Sequence, residues 1–141
     1  MSTDRKTLKI VSIIQFVLGI VTFIFGAILL AGAGLAEGDP ISFVGAEFDP
    51  VTWAIINGVA FDVLGVLQII CAVLGIHGAN RPSALGSHFL FAAIVIIVAV
   101  IAGIISSALG EFSMPTLIVV VAGIALSGAV FDKRVRKELD R

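Results

Sequence analysis

"TWAIINGVAFDVLGVLQIICAVLGI", residues 52–76, decides how this chain folds. The stretch carries one charge, Asp62, and is otherwise uncharged. As a helix it is long enough to cross the hydrocarbon core of a bilayer, which is roughly 30 Å thick and takes about 20 residues. An ionised carboxylate inside such a run costs on the order of 2.5 to 3.5 kcal/mol on insertion scales, so Asp62 needs a partner, a proton or a purpose.

Three further runs of the same kind lie on either side, at about 8–31, 87–109 and 114–131. With 59% hydrophobic and 13% charged residues and a mean hydropathy of +1.16, the chain differs sharply from soluble domains, where about 25% of residues are charged. The connections, of roughly 20, 10 and 4 residues, leave no room for a soluble domain. The expected fold is all-α: one integral membrane domain over 1–141, a four-helix transmembrane bundle with antiparallel up-down topology. It has an outer loop at 32–51 and a basic tail at 132–141. The first run follows Arg5, Lys6 and Lys9 as a signal peptide would, but its apolar stretch exceeds the usual 7 to 15 or so residues, and it is read as a retained helix.

The cations set the orientation. The nine Lys and Arg residues fall before the first run, at Arg81 between the second and third, and after the fourth at Lys133, Arg134, Arg136, Lys137 and Arg141. The other two connections hold Glu37, Asp39, Glu47, Asp49 and Glu111 and no cation. Under the positive-inside rule both termini and the middle loop are cytoplasmic, as in a multi-pass protein of the cell membrane. The tail serves as the topological anchor of the last helix and can attract anionic headgroups. Nothing interleaves basic and aromatic residues on a surface, so nucleic acid is not an expected partner.

Asp49 is placed to cap the second helix, with Pro50 at its first position, and Ser113 to cap the fourth. Trp53 falls at headgroup depth as an interface anchor. "DPIS", from Asp39, reads as a turn or short surface helix, and Phe43, Val44 and Phe48 as a cover over the outer end of the helices or a contact for a partner. Cys71 is the single cysteine, which excludes an intrachain disulfide, and it reads as an apolar packing residue. His77 and His88 flank the middle loop without cysteine or carboxylate companions, so no metal site is expected.

In lipid, helices approach through small residues and through polar groups that bond across. Ser12, Gly19 and Gly26 recur at seven-residue spacing, with Gln15 and Thr22 beside them. Gly58, Gly65 and Ala72 repeat the pattern beside Phe61, Gln68 and Gly75. That period keeps one face toward a left-handed partner, so the first two helices should pack along their length. Counting from the inner ends places Gln15 level with Gln68, so these two should meet directly or through water, and Thr22 level with Asp62. Gly103 and Gly123 invite close approach of the last two helices.

Asp62 shares a helical face with Gly58 and Gly65 and is expected to look inward, with Gly103, Ser106 and Thr116 as further neighbours. Three roles compete for it: a proton or cation site, a protonated structural donor to Thr22 or a backbone carbonyl, and a group that meets another membrane subunit. Ser106 and Ser107 have no histidine at their level, and neither a metal set nor a phosphate-cradling loop is present. The expected function is therefore non-enzymatic membrane interaction or assembly without a cofactor, as a homo-oligomer or an auxiliary subunit partnered by the lipid bilayer and other membrane protein. The alternative is a small proton- or cation-coupled transporter or channel using Asp62.

Overall fold

A computed structural model describes residues 2–108 and 113–139, with backbone alone for 113–116 and 139. Four long helices dominate: α1 (Thr3–Gly32), α2 (Pro50–Asn80), α3 (Leu85–Ser107) and α4 (Ser113–Leu139). Two short strands, β1 (Ile41–Phe43) and β2 (Ala46–Phe48), form an antiparallel hairpin between α1 and α2. The first three helices are each long and apolar enough to cross a membrane, and the chain is a membrane protein. In α4 the described side chains include an apolar stretch from Leu117 to Phe131.

The helices outrun their apolar stretches because their ends are stabilised locally. The Ser2 hydroxyl accepts from the Arg5 amide at 3.4 Å and starts α1 well before Leu8. Asp49 caps α2, accepting from the Thr52 amide at 3.0 Å, with Pro50 at the first position. Its carboxyl is held below the usual carboxylate range chiefly by the Thr52 side-chain hydrogen bond and then by the Thr52 amide. Arg81 leaves α2 with φ −130° and ψ 90°, since the residue before a proline is driven out of the helical region. The segment expected as a tail from 132 is instead helical through Leu139, and Asp132 and Val135 within it are buried. The place of Ser113 as a cap, and of Thr116 as a neighbour of Asp62, lies outside the described side chains.

α1 packs along α2, α2 against α3, α3 along α4, and α4 against α1. The buried positions follow alternating steps of three and four. In α1 they are Leu8, Ser12, Gln15, Gly19, Thr22 and Gly26. In α3 they are Leu85, His88, Ala92, Val95, Ala99, Ala102 and Ser106. In α4 the stripe continues past the apolar stretch as Ile118, Val121, Ala125, Gly128, Asp132 and Val135. This is the seam spacing of helices that cross at small left-handed angles. At mid-length the interior is filled by Phe61, Leu64, Val95, Ala99, Ala102 and Val121, with Phe25 edge-on to Phe61 at 5.3 Å between ring centroids.

The outer loop departs from the expected surface helix at "DPIS". Ile41, Phe43, Ala46 and Phe48 alternate with Ser42 and Glu47, and pairing Ile41 with Phe48 and Phe43 with Ala46 gathers the apolar set on one face. Val44 and Gly45 make the two-residue turn with φ 50° and 78°, the positive values such a hairpin requires. Phe43 and Phe48 fold down on Trp53, at ring-centroid distances of 5.1 and 5.3 Å. Trp53 is therefore 1% exposed, enclosed by the hairpin instead of presenting its ring to headgroups. Val44 at the tip stays exposed.

Candidate functional site

The α1–α2 seam is built on absent side chains. A β-carbon on Gly65 would lie 2.7 Å from the Phe23 amide nitrogen and 2.9 Å from the Gly19 carbonyl oxygen. One on Gly26 would lie 2.8 Å from the Gly58 carbonyl oxygen and would overlap the Asp62 carboxylate. Backbone thus meets backbone at two levels, one heptad apart. Ala72 is buried a further heptad along α2.

Asp62 stands beside this seam, not within the interior. It follows Phe61, which occupies the buried stripe, and so falls one step outside it; its residue is half-buried. Its carboxylate fills the space left by the missing side chain of Gly26, and Oδ1 is buried with no hydrogen-bond partner among the described residues. The expectation that it looks inward fails because Gly58 and Gly65 face α1, not the centre of the four helices. Ser106 and Gly103 are engaged elsewhere: the Ser106 hydroxyl lies 3.1 Å from Asn57 Oδ1 and 2.8 Å from the Ala102 carbonyl, sharing one proton, while Gly103 faces Ile118.

Thr22 and Gln68 do meet, with Gln68 Nε2 donating to Thr22 Oγ1 at 3.1 Å while Thr22 donates to the Leu18 carbonyl at 2.7 Å. The structure thus gives Gln68 to Thr22 instead of to Gln15, and leaves Asp62 without the threonine. The reason is geometric: every Cα–Cβ bond tilts toward the N-terminus of its own helix, so level residues on antiparallel helices lean apart. Gln68 leans outward, and Gln15 leans inward toward Cys71.

A second polar group lies at the opposite end from the hairpin, and residues of all four helices contribute to it. His88 Nδ1 of α3 faces Asp132 Oδ2 of α4 at 3.4 Å, and Arg136 Nε donates to Asp132 Oδ1 at 3.2 Å. Both His88 and Asp132 are 0% exposed. The ring turns its other nitrogen, Nε2, away from Asp132 toward α1 and α2. That Nε2 and the Ser12 hydroxyl of α1 converge on Gly75 of α2, whose lack of a side chain admits both. Ser12 Oγ, His88 Nε2 and both Gln15 amide atoms are buried without hydrogen-bond partners among the described residues. Ser12, His88 and Asp132 are all fully buried.

Sequence reasoning missed His88, Asp132 and Asn57 as interior groups. The signal was their place on the three-four stripes: every polar residue on a stripe is buried, and Asp62, one step off, is not. Among the described residues no three His, Cys, Asp or Glu side chains are grouped to hold a metal ion. The fold and these two polar groups define a helical polytopic membrane protein with a polar-studded interior. No family model, curated protein or solved structure matches the chain.

Proposed function

We propose that the protein is an antiparallel up-down four-helix transmembrane bundle, with both termini cytoplasmic in the cell membrane, that acts non-enzymatically by lateral assembly with a second copy of itself. The confinement of Lys and Arg to the termini and the middle loop supports the orientation. One observation carries the assembly reading: Asp62 is a half-buried carboxyl on the outer flank of α2, its exposed part beside exposed Val59, Val63 and Val66. In lipid the exposed part of such a carboxyl is stabilised by a polar group from a neighbouring molecule. A two-fold interface brings Asp62 against its own copy, where two carboxyl groups sharing a proton attract and two ionised ones repel.

The test is subunit counting by single-molecule photobleaching of the labelled protein in dilute liposomes. Wild type gives two bleaching steps and Asp62→Leu gives one. Two steps for Asp62→Leu would overturn the reading. The unpartnered oxygen also favours a second reading, a proton- or cation-coupled transporter with its path between protomers. A proton or cation flux that Asp62→Asn abolishes without changing the subunit count selects it.

A further inference from the structure

On the lipid-facing side of α3 and α4 runs a groove of about 280 Å³, walled by Phe89, Ala93 and Ile96 on one helix and Leu126, Ala129 and Val130 on the other. From Phe89 to Ile96, and from Leu126 to Lys133, is seven residues, so the trough is about 10 Å long at the helical rise. Its small residues, Ala93 and Ala129, make it concave; its large ones form the sides.

One end is apolar and the other is not. Lys133 lines the groove where α4 approaches its C-terminus and is exposed. Beside it the Arg136 guanidinium carbon stands 5.9 Å from the Phe89 ring centroid, with 42% of its side chain exposed. Arg136 Nε is committed to Asp132 and Nη2 is buried toward Gly86 in the first turn of α3, so the exposed remainder of the guanidinium is what faces the groove mouth. That turn has no side-chain cap, so the positive end of the α3 dipole adds to the two cations. An apolar trough of membrane depth, ending in a positive mouth at the helix ends, complements an acyl chain joined to a phosphate.

We propose that this groove holds one anionic glycerophospholipid, its acyl chain against Ala93 and Ala129 and its phosphate between Lys133 and Arg136. The site is independent of the assembly reading, since it lies on α3 and α4 and not on the Asp62 face. Native mass spectrometry of the purified full chain in detergent, titrated with dioleoylphosphatidylglycerol or dioleoylphosphatidylcholine, tests it. The phosphatidylglycerol adduct is retained preferentially. Lys133→Gln weakens it about fivefold, the loss expected for one basic residue at an anionic surface. Ala129→Leu, which fills the trough, removes it, and Lys9→Gln leaves it unchanged. Equal retention of the two lipids would overturn the proposal, as would unchanged binding in Lys133→Gln, whose exposed side chain leaves folding intact. So would displacement of the lipid by glycerol phosphate as effective as that by the whole lipid, because the trough would then contribute nothing. Cross-linking of a second copy through Ala93→Cys or Ala129→Cys in lipid would overturn it too.

Discussion

Between α1 and α2, glycines at two levels let one backbone press on the other; between α3 and α4, among the described residues, Gly103 faces the Ile118 side chain and a β-carbon on Gly123 would meet nothing within 4 Å. Both helix pairs carry small residues in apolar surroundings, so composition does not distinguish them. Register does. Gly19 faces Gly65 and Gly26 faces Gly58, whereas Gly123 comes five residues after the Ile118 that faces Gly103, on the exposed side of α4. The second pair is joined instead by His88 and Asp132 near one end, and its outer face opens into a groove. A small residue brings helices together only where depth and facing agree on both.

The largest effect should come from the polar join. Asp132→Ala leaves His88 and Arg136 without their shared acceptor, and each of these two hydrogen bonds to a charged group is worth about 1.5–3 kcal/mol. Thermal unfolding in detergent should show it, and an unchanged midpoint would mean that α3 and α4 do not depend on this contact. Next comes the glycine seam: Gly65→Ala puts a methyl against backbone that cannot yield, a loss of about 1–3 kcal/mol by the same assay. Gly123→Ala is its counterpart and should shift stability by no more than about 1 kcal/mol, toward greater stability, because it adds helix propensity without a clash. Equal losses for the two glycines would erase the contrast.

The smallest effect concerns the turn into α2. Because the folded-state affinity of Asp49 for its proton is lowered by Thr52, its contribution is present above its ordinary value of 3.8 and is lost as pH falls through the lowered one. Wild type should therefore lose more stability than Asp49→Ala on acidification from neutral pH to below that range. Parallel losses would show that the cap contributes nothing.

Much of this was legible in the sequence, for physical reasons. The three membrane-length helices are visible as apolar runs because lipid demands about 20 residues each, and the seven-residue recurrence of Gly19, Gly26, Gly58 and Gly65 is visible because close backbones tolerate nothing larger. Asp49 and Pro50 announce the start of α2 by local chemistry alone. Other features depend on what lies beyond a charge boundary or across space. Asp132 looks like the first residue of a solvated tail, yet it falls on the α4 stripe one step after Ala125 and Gly128 and pairs with a histidine on another helix. The hairpin over Trp53 was hidden because Asp-Pro signals a turn more strongly than three-residue strands signal themselves. Asp62 drew attention by its charge, but its position one step off the stripe decides its environment.

The central claim is that the Asp62 face of α1 and α2 is where two copies meet, and cysteine cross-linking in native-like membranes tests it most directly. In a Cys71→Ala background, Val59→Cys and Val66→Cys should each form intermolecular disulfides, while Val119→Cys, on the exposed side of α4, should not. Efficient cross-linking at Val119→Cys with none at Val59→Cys or Val66→Cys would contradict the account.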